Sequence, residues 1–235
     1  MERLGGRRGK YVAIPDFIDE RLKGALKKKG ITRLFSHQGI ALEAIGGGKD
    51  VVVVTPTASG KTLCYNLPIL NHKLSDSSVK AIYLFPTKAL SQDQMAELQE
   101  LIDATGEPIG TFTYDGDTPQ DARKAIRAQG DIVITNPDML HTGILPHHTK
   151  WIKLFQNLKY IVIDELHSYR GVFGSHMTNV LRRVKRVCDF YGSRPQFICC
   201  SATISNPGEL AEKLVEGPVE LIDQNGAPSS EKLFL

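Results

Sequence analysis

The sequence is poor in the features that mark several protein classes. None of its apolar runs approaches the roughly 18–20 residues of a membrane-spanning helix, which argues against a helical membrane protein. The start, MERLGGRRGKYVA, has no apolar core and does not read as a secretory leader, so a cytoplasmic location is the expectation. The four cysteines, Cys64, Cys188, Cys199 and Cys200, include no CxxC pair and sit in apolar or helical surroundings. Free buried thiols are expected there rather than a zinc or redox site. There is no internal repeat and no low-complexity tract. Acidic residues are scarce near the start. Residues 1–37 carry ten Lys+Arg against four Asp+Glu, a net of +6 that leaves −3 on the remainder of a chain of formal charge +3. Such a segment can meet nucleic-acid phosphates, although Lys27, Lys28 and Lys29 suit a solvated helix face equally well.

What is present is an ordinary globular composition, 41% apolar and 23% charged over 235 residues, enough for one large α/β domain. Helical spacing of Phe17, Ile18, Leu22 and Leu26 predicts a helix over 15–29, stopped by Gly30. A second helix is predicted over 36–45, closed by Gly46, Gly47 and Gly48. Short apolar runs then predict strands at 51–54, 81–85, 111–114, 131–135, 160–164 and 197–201. Helices are predicted near 61–74, 91–104, 119–128, 174–190 and 206–215. Continuous apolar strands alternating with helices imply a parallel sheet covered on both faces, a three-layer α/β fold.

In such a sheet, ligands bind at the carboxyl ends of the strands. The strand VVVV (51–54) runs into TPTASGKT (55–62) and then a helical pattern. That context suits a phosphate-binding loop, although its first position is Thr55 rather than glycine. Thr57, Ala58, Ser59 and Gly60 would offer backbone N–H groups, Lys61 would reach the terminal phosphates, and the Thr62 hydroxyl would ligate Mg²⁺. The partner carboxylates come from YIVIDELH (160–167). Asp164 would hold the Mg²⁺ shell and Glu165 would orient or deprotonate the attacking water. His167 is placed to couple this site to another element.

ASGKT, PTKAL, TNPD, DELH and SAT, in this order and spacing over about residues 33–206, resemble the first RecA-like motor lobe of superfamily-two DExH/DEAD-box helicases. YDGDTP (114–119) and DELHSYRGVFGSH (164–176) are similar to the bacterial mitomycin-repair helicases and their relatives related to RecQ-four. The resemblance implies ATP and Mg²⁺ as cofactors and a single-stranded DNA track, with 3′ to 5′ movement in DNA repair. FSHQ (35–38) resembles a Q motif, so Gln38 is expected to read adenine, with Arg33 or Phe35 stacking on the base. PTKAL and TNPDMLH resemble motifs Ia and Ib, which makes Thr87, Lys88 and Thr135 the candidates for strand phosphates. Asn136 and Asp138 are expected to cap a helix instead. SAT resembles motif III, so Ser201 and Thr203 are expected to bond towards His167 or Asp164 and couple the two sites. Tyr169, Arg170 and Phe173 are expected in a loop that touches DNA or a second lobe. The basic residues Arg182, Arg183, Lys185 and Arg186 read as a solvated helix face.

The expected organisation is a basic extension and helix over 1–30, a RecA-like lobe over 31–225, and over 226–235 the start of a linker to an absent second lobe. Transition-state arginines lie in that second lobe in the family, so the 235 residues alone are expected to hydrolyse ATP poorly. Three alternatives stay open: a DEAD-box RNA helicase lobe, a translocase on duplex DNA, and a non-catalytic nucleotide-sensing module.

Overall fold

The computed structural model describes residues 2–4, 6–228 and 232–234, with side chains over 6–228. Of the expected linker, residues 229–231 and 235 lie outside the described residues. In chain order the elements open with β1 (Glu2–Leu4), β2 (Tyr11–Val12), α1 (Glu20–Lys28), β3 (Leu34–Phe35) and α2 (Ser36–Gly46). The alternating part follows as β4 (Val51–Val54), α3 (Lys61–Ser75), β5 (Lys80–Leu84), α4 (Lys88–Thr105), β6 (Thr111–Thr113) and α5 (Gln120–Gln129). It continues through β7 (Ile132–Thr135), the short α6 (Pro137–Met139), α7 (Ile152–Gln156) and β8 (Leu158–Ile163). The remainder is α8 (Gly171–Tyr191), β9 (Gln196–Ser201), α9 (Pro207–Val215), β10 (Glu220–Ile222) and β11 (Lys232–Phe234).

Seven strands form one sheet in the order β10-β4-β9-β8-β5-β7-β6, and every pairing in it is parallel. Strand side chains alternate between the faces, so each apolar run feeds two cores at once. Val51 and Val53 join Ala81, Tyr83, Ile134 and Val162 beneath α1–α4, whereas Val52 and Val54 join Ile82, Leu84, Val133 and Ile161 beneath α5 and α7–α9. Burial of each such valine contributes on the order of 2 kcal/mol. That is why the run carries no polar residue. The edge strand β10 was missed in the sequence, because three residues with one exposed leave no readable period.

The amino-terminal region is part of this body. Leu22, Ala25 and Leu26 of α1 are fully buried in the first core, and the helix packs on α4. β2 pairs antiparallel with β3. The Lys10 N–H donates to the Gly226 carbonyl at 2.8 Å, and the Ser36 N–H donates to the Lys10 carbonyl at 2.9 Å. Gly226 has to be glycine, since a Cβ there would lie 2.3 Å from Ser36 Oγ. β1 pairs antiparallel with β11. At the opposite end of the sheet, Asp131 accepts from Lys73 and Lys80 at 2.7 Å each and from the Gly110 N–H at 2.8 Å. Burial opposes its ionisation, but these bonds hold its carboxyl below the usual range.

One local expectation is corrected. The stretch 168–176 is not a loop carrying Tyr169 and Phe173 to the surface. α8 begins at Gly171, and Tyr169 is fully buried. Gly174, which looked like a loop residue, lies instead where a Cβ would meet the Tyr169 carbonyl at 2.6 Å, so the glycine permits the tight turn into the helix.

Candidate functional site

The parallel register sets the ends of five strands in a row. Val54 lies beside Ser201, Leu84 lies beside Ile163 on one side and beside Thr135 on the other, and the row closes through Ile163 and Cys199 on β8 and β9. The residue after each strand end therefore emerges on one rim, and this rim gathers the phosphate-loop residues, Asp164 and Asn136.

The loop after β4 is bonded to itself. Thr55 Oγ1 and Ser59 Oγ are 2.6 Å apart and both are buried. The Lys61 ammonium donates to the carbonyls of Thr55 at 2.8 Å and Pro56 at 3.0 Å. Ala58 (φ 61°) and Gly60 (φ 77°) adopt left-handed backbone, which turns successive N–H groups inward and suits an anion cradle. A Cβ at Gly60 would lie 2.7 Å from Gln38 Nε2. Gln38 is nearly buried, donates to the Gly60 carbonyl at 2.9 Å and accepts from the Phe35 N–H at 2.8 Å. Its amide thus ties the Q-motif segment to the phosphate loop.

Asp164 is 7% exposed. Burial pushes its carboxyl up to about 6. The charge of Glu165 adds to this, while the Glu165 N–H, the Tyr65 hydroxyl and Lys61 pull the other way. The Glu165 N–H donates to Asp164 Oδ1 at 2.7 Å. The Tyr65 hydroxyl lies 3.1 Å from Asp164 Oδ2 and 3.0 Å from Gln94 Oε1, sharing its proton between them. Gln94 also accepts from Thr62 Oγ1 at 3.0 Å. Tyr65 and Gln94 therefore bridge the two residues expected to serve the metal, and sequence reasoning missed both. Tyr65 lies three positions beyond Thr62 on one helix face, a signal that was available, whereas Gln94 gave none. Glu165 has φ 51°, a left-handed backbone costing a non-glycine residue on the order of 1–3 kcal/mol. His167 Nδ1 approaches Glu165 Oε2 to 3.2 Å at an angle outside hydrogen-bonding geometry.

The expected coupling bonds are absent among the described residues. The Ser201 hydroxyl is fully buried without a hydrogen-bond partner, and Thr203 is exposed with no bond to His167 or Asp164. The strand end directs Ser201 into the sheet, while the turn after it carries Thr203 outward.

The expected nucleic-acid residues divide. Thr87 and Lys88 are exposed on the rim. Thr87 Oγ1 caps α4 through the Leu90 N–H, and Lys88 is paired with Asp117. Thr135 is corrected. It is 2% exposed and its hydroxyl donates to the Tyr114 carbonyl at 2.6 Å, so it anchors the YDGDTP turn instead of facing a strand. Asn136 caps α6 by accepting from the Met139 N–H at 2.8 Å, as expected. Asp138 does not cap, and lies 3.3 Å from His176.

At the far side of Gln38, Tyr11 is 44% exposed, its ring 5.3 Å from that of Phe35 and with the Arg33 guanidinium 4.6 Å above it. Burial lowers the pKa of His37, and its Nδ1 accepts from the Gly226 N–H at 3.1 Å.

The donor set fits the groups the motifs imply. A hydroxyl and a carboxylate converging through Tyr65 and Gln94 are hard oxygen ligands, which suit Mg²⁺ completed by phosphate and water. Among the described residues, no cluster of three or more His, Cys, Asp or Glu side chains forms a separate metal site.

Comparison with known proteins is consistent with this geometry. The DEAD/DEAH box helicase family matches residues 35–210. The chain is 61% identical to the ATP-dependent helicase YprA of Bacillus subtilis over 229 residues, 97% of this chain and 31% of that protein. It is 39% identical to the ATP-dependent helicase hrq1 of Schizosaccharomyces pombe over 96% of this chain and 22% of the relative. The crystal structure of the DUF1998 helicase MrfA bound to DNA superposes with a TM-score of 0.96 at 60% identity, covering 98% of this chain and 31% of that one. The chain thus spans about a third or less of the length of these relatives.

Proposed function

The chain belongs to the DEAD/DEAH box helicases, and on that premise we propose that it is the first motor lobe of an ATP-driven DNA helicase. The observation that carries this reading is the junction of the phosphate loop and the buried Asp164 through Tyr65 and Gln94. An arrangement that holds a carboxylate in an apolar interior next to a phosphate cradle is costly unless a cation is to be held there.

Each residue then has a role. Thr57, Ala58, Ser59 and Gly60 present backbone N–H groups to the phosphates. Lys61 exchanges the carbonyls of Thr55 and Pro56 for phosphate oxygens, and Gln38 reads the adenine edge. Tyr11, backed by Arg33, offers an exposed ring for the base. Thr62 and Asp164 would hold Mg²⁺, which when bound neutralises charge on the β- and γ-phosphates. Glu165 orients or deprotonates the attacking water, and His167 passes the state of Glu165 to neighbouring elements. Ser201 and Thr203 couple the sites once the rim rearranges, and Thr87 and Lys88 meet the strand backbone. DNA is favoured over RNA because the similar proteins include a helicase solved with DNA and the DNA helicase Hel308 of Pyrococcus horikoshii, 35% identical over 84% of this chain. A second RecA-like lobe completes hydrolysis, and movement is 3′ to 5′ in a repair setting. No helix among the described residues is long and apolar enough to cross a membrane, and the proposed setting is the cytoplasm.

The test is the ATPase rate of the complete polypeptide that carries this lobe, with single-stranded DNA, with RNA and alone. Stimulation by DNA that disappears in Lys61→Ala supports the reading. Stimulation by RNA alone, or ATP binding without stimulation by either, overturns it.

A further inference from the structure

A groove of about 490 Å³ runs between α5 and the segment that follows α6. That segment is a short stretch of π-helix (Leu140–Ile144) followed by 3₁₀ turns over Leu145–Lys150, kinked at His147. One wall carries Arg123, Lys124 and Arg127, and the other carries His147 and Lys150. No carboxylate is among the residues that line it. Some exposed cations on this surface, such as Arg21, Lys49, Arg182 and Lys213, are paired with carboxylates, whereas others are not; what sets the groove apart is that its cations converge from two walls. Among the described residues Lys124, Arg127 and Lys150 have no ion pair. Lys124 and Arg127, three apart on one helix, face each other as like charges, an arrangement that is mildly unfavourable by itself.

Arg123 is fixed in place without being neutralised. It donates to the Thr118 carbonyl at 2.8 Å and to those of Asp115 and Gly116 at 3.2 Å, and its guanidinium lies 5.2 Å from the Tyr114 ring centroid. Such pre-ordering lowers the entropy cost of binding an anion. The groove also starts at the rim. Tyr114 lines it, and the carbonyl of Tyr114 is the group that Thr135 holds. The groove then follows α5, about 15 Å of helix at 1.5 Å per residue, away from that rim.

We propose that this groove is a second phosphate track, which holds the sugar–phosphate backbone of a nucleic-acid strand beyond the rim contacts of Thr87 and Lys88. The proposal rests on the nucleic-acid reading above. Cations on both walls suit one backbone lying between them. Tyr114 is 2% exposed and offers no stacking face, so the groove grips through phosphate contacts, which carry no sequence information.

The experiment is fluorescence anisotropy with the complete polypeptide and its triple variant Lys124→Glu, Arg127→Glu, Lys150→Glu. Single-stranded DNA of about 8 and about 30 nucleotides is titrated over a range of salt. The short strand is expected to bind both proteins alike. The long strand is expected to bind the variant about tenfold more weakly or worse, with a salt slope shallower by about 2, the loss of three contacts at 0.7 each. An unchanged slope and affinity for the long strand overturns the proposal. So does equal weakening on both strands, which would make the groove part of the motor rim. Loss of a polyglutamate peptide with DNA binding intact would assign it to an acidic protein partner instead. If the unaltered protein binds neither strand, the underlying nucleic-acid reading fails and takes this one with it. Unchanged thermal stability and DNA-independent ATPase show that the variant folds. If they fall, the three Gln substitutions are used, and a shallower slope is again required.

Discussion

Two aspartates, Asp164 buried and Asp131 partly buried, one at each end of the same sheet, are treated in opposite ways. Asp131, at the amino-terminal ends of the strands, is met by two ammonium groups and a backbone N–H, and its carboxyl is held below the usual range. Asp164, at the carboxyl ends, has only a tyrosine hydroxyl and one N–H, and burial pushes it up to about 6. Lys61, the cation near Asp164, is bonded to the Thr55 and Pro56 carbonyls instead of to the carboxylate. A carboxylate that is fully paired serves the fold, whereas one left short of partners beside the loop after β4 fits the proposed role of holding a ligand.

Breaking the satisfied end should have the largest effect. Asp131→Asn leaves the buried Lys73 and the partly buried Lys80 beside each other without a counter-charge, and should cost about 3 kcal/mol, the lower end of the range for a buried pair, as measured by urea unfolding. A loss below about 1 kcal/mol would mean that the two lysines find water instead.

The unsatisfied end should show itself through pH. Native Asp164 binds its proton more tightly than the unfolded chain does, about 6 against 3.8. The native state therefore holds the extra proton between those values, and stability falls as pH rises through them, by on the order of 3 kcal/mol. Above about 6 this contribution is flat. For Asp131 the sign is reversed: its stabilisation is present above the unfolded value and is lost as pH falls through the lower native one. The stability of the unaltered chain minus that of Asp164→Asn, followed from pH 4 to pH 7, should decline. A flat difference would remove the contrast between the two ends.

The smallest effect sharpens the same point. Ser201 is buried with an unpartnered hydroxyl on the same rim, so Ser201→Ala should change stability by less than about 1 kcal/mol. A loss of 2 kcal/mol or more would show that the hydroxyl has a partner in solution and that the rim is better satisfied than it looks.

The sheet could be read from sequence because each of its central strands is a run of apolar residues feeding two cores, and such runs survive without knowledge of their neighbours. The placement of Lys61, Thr62 and Asp164 on one rim could be read because a strand end and a helix start fix where they emerge. What stayed hidden depends on contacts distant in sequence. Thr135 has the position of a strand-gripping hydroxyl, yet the Tyr114 carbonyl, 21 residues away, takes its proton. Tyr169 reads as a surface aromatic beside Arg170 until the helix start at Gly171 turns it inward. The joining of Lys10, Ser36, His37 and Gly226 needs both ends of the chain at once.

The four cysteines, unremarkable as packing, give the molecule a built-in clock. Cys64 lies in α3 behind the phosphate loop, Cys188 near the end of α8, and Cys199 and Cys200 on opposite faces of β9. Burial pushes the Cys188 thiol up to about 11 and that of Cys64 to about 12, and raises the other two as well. In the closed lobe none is a thiolate that an alkylating reagent can reach. The order in which the four become modified would time the opening of the last turn of α8, the helix that follows the loop after β4, and the sheet between the two cores, with no label added to the chain.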